Sequence, residues 1–405
     1  MRFETASIRK ALAAFAAFAV VTTLGAGSAL ATPQPLASAD DAPRVDVVYQ
    51  AKRAVARQVS DLLADDTFRA VVERRLGAGG DRVAMNEVLG AYRAAGGTNL
   101  AAVESIVAED LAVRSWKGTE AYTAGLMELR LVTPSAGVEV DWREVLVAFE
   151  PAGEDSEWTV VEAFDRAGRV HRLDAREAPS FPVLVADLDA SEDLRAGIEM
   201  VNEGLRAAGL QATEAETVER ALDAGVDGRA ISCSGIETAK ISNIRLDDDH
   251  EPWIKGAAEI YAFVSGIDPT VADPEIRLVD MPYLDHDGTT YYPNQILIFW
   301  YNYRYNAANV NLYEHDDGTN YQEILNAVLT GVNTILGVFA PEYAVIAQVA
   351  NAIIQALPSS WFTDDDDYVD VIYTIDTDDL TSSSGRTYYG ASNNVQLKLV
   401  PYCLN

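Results

Sequence analysis

From Glu237 to the C-terminus the sequence breaks into short strand-like runs separated by turn signals, and this punctuation limits the fold more than any other feature. The runs are 238–246, 257–265, 276–281, 295–303, 310–314, 369–375 and 395–400. Seven such runs predict an antiparallel β-sandwich. Between the fifth and sixth lies an insertion, 321–357, with helical spacing. ILNAVLTGVNTILGVF and PEYAVIAQVANAIIQAL make two helices broken at Pro341, and from Ile324 to Phe362 the only charged residue is Glu342. Asn326, Thr330, Asn333 and Thr334 form one uncharged polar stripe, and Gln348, Asn351 and Gln355 another. Such a hairpin can pack over the sandwich or dock to a membrane or a partner, and neither helix reaches a comfortable membrane span. The run QILIFWYNYRYN begins apolar on both faces, as a central strand does, and Tyr301, Tyr303 and Tyr305 are expected to share one face.

If consecutive strands alternate in direction, every second connection falls at the same pole. The first connection is LDDDHEPWIKG (246–256) and the third is YLDHDGTTYYPN (283–294). The fifth begins EHDDGTNY (314–321) and ends TDDDDY (363–368). Four acidic clusters are therefore expected at one pole. Carboxylates gathered from several loops repel one another unless cations lie between them, and Ca²⁺ with six to eight oxygen ligands suits such loops. The candidate ligands are Asp247, Asp248, Asp249, Glu251, Asp285, Asp287, Asp316 and Asp317, with Asp364, Asp365, Asp366 and Asp367 in support. Gly288 follows Asp287 and Gly318 follows Asp316 and Asp317, which allows the tight turns. His250, His286 and His315 sit in the same loops. Imidazole ligates Zn²⁺ or another transition metal better than Ca²⁺, so these three also define an alternative open metal site. A solvated acidic surface is the plain alternative to both.

Upstream, 44–126 has helical periodicity. Val48, Ala51, Val55, Val59, Leu62 and Leu63 fall on one stripe, and Asn99 is placed to cap a helix carrying Val103, Ile106, Val107 and Leu111. Over 127–189 the period shortens to that of strands, with REVLVAFEP, EWTVVEAF, RVHRLD and FPVLVADLD, and Asp165-Arg166-Ala167-Gly168 fits a hairpin turn. His171 in this region reads as structural. Residues 190–232 return to a helical pattern as a linker, with Thr213 and Glu216 as a capping box and Gly225 as a stop. The sandwich occupies 233–405. The expected class is thus α+β and multidomain.

Residues 1–31 read as a secretory signal. Arg2, Arg9 and Lys10 precede the uncharged run Ala11–Leu24, and Ala29-Leu30-Ala31 is a cleavage site; 32–43 then form a flexible linker. Export permits a disulfide, and the only two cysteines, Cys233 and Cys403, are expected to tie the ends of the sandwich together. The net charge of −31 excludes a nucleic-acid partner, which needs a basic face. No G-x-S-x-G elbow, P-loop, C-x-x-C or Rossmann glycine pattern occurs.

ETAKISNIRLDDDHEPWIKGAAEIYAFVSGI, DMPYLDHDGTTYYPNQILIFW and SSWFTDDDDYVD resemble an uncharacterised family of secreted bacterial proteins, a domain of unknown function, over about 235–402. VLVAFEP and FPVLVADLD echo it upstream. The family implies no activity or site residues. In architecture alone, strands alternating with acidic loops look like the C2 type of Ca²⁺-binding sandwich. The expected function is a secreted, Ca²⁺-dependent binding module for an envelope surface, a polysaccharide or a protein, with no transmembrane helix in the mature chain. The alternative is a secreted metal-dependent hydrolase.

Overall fold

The computed structural model describes residues 47–77, 80–135, 138–153, 155–224, 233, 235–247, 252–256, 259–271, 273–286, 288–335, 342–357 and 368–404. The expected signal segment 1–31 and the expected linker 32–43 lie outside the described residues, as do Asp248, Asp249, His250, Glu251, Asp287, Asp364, Asp365, Asp366, Asp367 and Gly225. Among the described residues the chain is α+β, with eight α-helices and three sheets.

The first helices are α1 (Val47–Leu62), α2 (Asp66–Leu76), α3 (Met85–Ala94) and α4 (Leu100–Lys117), with the short strand β1 (Arg82–Ala84) before α3. Every member of the expected α1 stripe is buried. Asp65 caps α2 by accepting from the Thr67 amide, and Asn99 caps α4 by accepting from the Ala102 amide at 3.3 Å. On α4, Val103 and Ile106 are buried, but Val107 and Leu111 are 43% and 47% exposed. They lie on the opposite side of the helix, so the expected four-residue stripe is corrected. The buried stripe continues instead through Asp110, Val113 and Lys117.

Five strands follow: β2 (Met127–Val132), β3 (Leu146–Ala148), β4 (Val160–Phe164), β5 (Val170–Asp174) and β6 (Val183–Leu188). With β1 they form one sheet in the order β1-β2-β6-β3-β4-β5. All its neighbours are antiparallel except β3 and β6. The hairpin between β4 and β5 turns where expected: the Asp165 carboxylate accepts from the Ala167 and Arg169 amides, and Gly168 takes φ +72°. His171 Nε2 lies 3.0 Å from Asp165 Oδ2, a structural role. The helices of 44–126 and the strands of 127–189 share one hydrophobic core, from Val55 and Phe68 to Leu129, Phe149 and Ala186.

The stretch 190–232 supplies α5 (Ala190–Ala207) and α6 (Glu214–Ala224). Thr213 and Glu216 form the expected capping box, each amide donating to the other's side chain. The eight remaining strands are β7 (Ile236–Leu246), β8 (Ile260–Ile267), β9 (Pro274–Met281), β10 (Ile296–Phe299), β11 (Ala307–Glu314), β12 (Tyr368–Asp376), β13 (Arg386–Tyr389) and β14 (Val395–Leu404). They form two antiparallel four-stranded sheets, β10-β7-β14-β13 and β12-β11-β8-β9. All seven expected strands are present; β13 was not apparent. The run expected over 295–303 stops at Phe299, because 300–302 form a 3₁₀ turn. Tyr303 therefore enters the core between the two sheets while Tyr305 packs with the helices, so the three tyrosines do not share a face.

Period-two alternation decides what each face of the second sheet meets. On β8, Ile260, Ala262 and Val264 enter the core between the sheets, while Tyr261 and Phe263 join a second core under the helices. Tyr313 of β11 packs edge-on to Phe263 at 5.5 Å, the kind of aromatic contact worth about 1 kcal/mol. The insertion forms α7 (Tyr321–Ile335) and α8 (Glu342–Ala356), which cover this face as a hairpin. Asn309 and Asn311 on β11 donate to the Ile346 and Ala350 carbonyls of α8, and Tyr373 donates to Asn351. Helix α5 lies beside α7. A Cβ at Gly197 would run into the Tyr321 ring and one at Gly204 into Leu325, so both glycines set the close approach. Asn202 of α5 and the Leu210 carbonyl satisfy the edge strand β9 through Leu278 and Ile276. No helix among the described residues is long and apolar enough to cross a membrane.

Cys233 is bonded to Cys403, with Cα atoms 5.5 Å apart. The expected bridge joins the segment before β7 to the end of β14.

Candidate functional site

The parallel pairing of β3 and β6 aligns Ala148 with Val185. Continuing that register sets Glu150, just beyond β3, level with Asp187 on β6, and both are buried. Helix α1 crosses this sheet with Lys52 on its apolar stripe. The Lys52 ammonium donates to Glu150, donates to Asp317 Oδ2 at 2.8 Å, and lies 3.8 Å from Asp187 Oδ1. Arg130 on β2 reaches across β6: its Nη2 donates to Asp187 Oδ2 at 3.0 Å and to the Ile254 and Lys255 carbonyls before β8. One guanidinium thus links the first sheet to the sandwich.

Asp317 arrives from the turn after β11. There the Asp316 carboxylate accepts from the Gly318 amide at 2.6 Å and the Asp316 carbonyl accepts from Thr319. Lys117 ends α4 just before Gly118, whose φ of +81° terminates the helix. Its ammonium donates to the Asp317 carbonyl at 2.6 Å and the Thr319 carbonyl at 2.9 Å, and lies 2.7 Å from Asp193 Oδ2. The side chains of Lys117 and Asp193 are both 0% exposed. His315 Nε2 is 3.1 Å from the same Asp193 oxygen, and the Tyr321 hydroxyl is 3.3 Å from His315 Nδ1. The contacts to Asp193 are ionic rather than well-directed hydrogen bonds, and its Oδ1 has no hydrogen-bond partner. Gly197, one turn along α5 from Asp193, leaves the room in which the Tyr321 ring stacks on His315.

Two sets of ligand atoms fall close enough to share one ion: Asp193, His315 and Asp317, and Glu150, Asp187 and Asp317. Beside them is a cavity of about 30 Å³ lined by Glu150, Asp187, Glu259, His315, Asp316 and Asp317 together with Lys255. That volume suits one monatomic ion or a water, and not an organic substrate. Burial pushes the Glu150 and Asp187 carboxyls up from their ordinary range. Burial also acts to raise Asp317, but Lys52 and Lys117 beside it outweigh this and hold its carboxyl below the usual range. For Lys52, burial opposes the charge, yet Asp317, Glu150 and Asp187 together raise it well above an ordinary lysine.

Of the expected ligands, the structure brings His315, Asp316 and Asp317 to this place. Asp247 is exposed and 3.1 Å from Arg245; Asp285 accepts from the Tyr291 hydroxyl at 2.7 Å; His286 is exposed. None of these three joins a group able to share an ion among the described residues, and Asp316 lines the cavity without belonging to either set. Lys52, Lys117, Arg130, Glu150, Asp187 and Asp193 were not apparent as site residues. The signal available for three of them was a charged residue on an apolar helical stripe: Lys52 among Val48, Val55 and Val59, Lys117 after Ile106 and Val113, and Asp193 before Gly197 and Val201.

Near this cluster Glu128 on β2 is buried 3.9 Å from Arg82, and burial pushes its carboxyl up to about 8. The folded chain therefore keeps this proton over a pH range in which the unfolded chain has lost it. Stability associated with Glu128 is full below about pH 4.5 and is lost as pH rises towards 8. Glu128→Gln is expected to flatten this part of the pH–stability curve and to stabilise the chain at pH 8 by a few kcal/mol, measured by urea unfolding across that range.

Fold and site together define an α+β protein in which a helix-covered sheet and a β-sandwich meet on a buried ionic cluster. The chain belongs to the family described as "Protein of unknown function (DUF3103)", whose model matches residues 52–405. The match extends far upstream of the resemblance seen over 235–402 and includes the whole cluster, from Lys52 to Asp317. No curated protein and no solved structure matches the chain.

Proposed function

We propose that this chain is an exported binding protein whose helix-covered sheet and sandwich are held together by a divalent cation, with Ca²⁺ the preferred ion. The reading rests on the cavity of about 30 Å³ between the two layers, where carboxylates outnumber the basic groups that face them. Lys52 already occupies the centre of Glu150, Asp187 and Asp317, so the ion belongs with the other set, Asp193, His315 and Asp317, where Asp316 and Glu259 line the cavity. Oxygen ligands dominate there, which favours a hard cation over zinc. In this reading the acidic loops act as they do in C2-like sandwiches, by presenting a cation-ordered end to a surface, polysaccharide or protein partner. The register supports this: the ends of β9 and β11 lie level with the starts of β8 and β12.

Thermal unfolding of the full chain in EDTA, Ca²⁺ and Zn²⁺ tests it. An ion that binds only the folded state stabilises by about 2.7 kcal/mol at a hundred times its Kd, so Tm is expected to rise with Ca²⁺. No rise with any ion refutes the reading. A rise with Zn²⁺ alone favours the alternative metal-dependent hydrolase, with His315 as its imidazole ligand.

A further inference from the structure

At the C-terminal end of α5 a second cavity, of about 650 Å³, opens between the segment leading into α6 and the sandwich edge formed by β9 and β10. Its volume is that of a small-molecule site. Its lining carries both signs of charge: Arg206 and Arg277 on one hand, Glu214 and Glu275 on the other. Phe299, Ile236 and Leu404 supply apolar wall. Arg277 lies over the Phe299 ring at 5.1 Å, which presents its guanidinium on a fixed aromatic support.

Two polar groups in the lining are buried. Gln211 is 9% exposed, yet its Oε1 has no hydrogen-bond partner. Glu275 is held in place by the Ala212 amide, which donates to its Oε1 at 2.8 Å, and Arg220 Nη1 lies 3.9 Å from its Oε2. Burial pushes its carboxyl up to about 7.

We propose that this cavity binds a short zwitterionic peptide. A simple anion entering it meets Glu214 and Glu275, and a simple cation meets Arg206 and Arg277. A peptide with free termini offers a carboxylate to the guanidiniums and an ammonium to the carboxyl groups. Its apolar side chains meet Phe299 and its neighbours. This site is separate from the ionic cluster and does not depend on a cation there.

The test is calorimetric titration of the full chain with the tripeptides Ala-Val-Phe and Leu-Ala-Val, with their N-acetylated amides, and with D-glucuronic acid. Saturable binding of at least one free tripeptide is expected, weakened at least tenfold when both termini are blocked. The double variant Arg206→Gln/Arg277→Gln, altered only at exposed side chains, is expected to lose at least tenfold in affinity while keeping its unfolding midpoint. The proposal is overturned if neither tripeptide binds up to millimolar concentration, if the blocked forms bind equally well, or if the variant binds unchanged. Equal or tighter binding of glucuronic acid likewise overturns the peptide in favour of an acidic sugar.

Discussion

Lys117→Met is expected to cost the folded chain about 3–5 kcal/mol, the penalty for removing one partner of a buried ion pair. The lysine side chain is fully buried against Asp193, and its ammonium also serves the Asp317 and Thr319 carbonyls. Its loss leaves Asp193, neither of whose oxygens has a hydrogen bond, with His315 alone beside it, and frees the turn that carries Asp317. Methionine matches the stem, so lost packing adds little. Adding Asp193→Leu to Lys117→Met is expected to restore part of the loss, because an apolar pair can replace a buried ionic one. Urea unfolding of both variants measures the two effects. A loss below about 1 kcal/mol in the single variant would mean that the lysine behaves as a solvated helix end.

Cys233→Ser/Cys403→Ser is expected to destabilise the chain by about 2–5 kcal/mol. The bridge closes a segment with a sequence separation of 170, so its removal returns a large amount of freedom to the unfolded chain. Part of the effect is local. Beyond Leu399 the strand β14 pairs with β7 alone, and the bridge anchors that end. Hydrogen exchange is expected to quicken first at Tyr402–Leu404 and Ile236–Thr238, while α1 and β6 keep their protection. An unchanged denaturation midpoint contradicts this account.

Strand positions in the C-terminal region were legible because turn residues and period-two alternation state them locally. Strand β13 escaped because RTYY is too short and too polar to stand out. The tyrosine stripe failed for a related reason: the turn at 300–302 is set by what packs around Trp300, and nothing in the spacing of Tyr301, Tyr303 and Tyr305 reveals it. Acidic loops were visible as loops, but visibility did not decide which carboxylates meet. Asp317 and His315 acquire partners on α1, α4 and α5, up to 265 residues away in sequence. Such partners depend on how a sheet and a sandwich face each other. Lys52 and Lys117 were nevertheless within reach of sequence reasoning, since a lysine on an apolar stripe must bring a carboxylate with it into the core.

Calorimetric titration of Ca²⁺ into the EDTA-stripped full chain tests the cation between the layers most directly, with Asp316→Asn as the comparison. Asp316 is half-buried at the cavity, and its side chain accepts from the Gly318 amide in the same turn, so the fold survives the change. The account predicts saturable binding at about one ion per chain, weakened at least tenfold in the variant. Absence of binding to the wild-type chain, or equal binding by both, contradicts it.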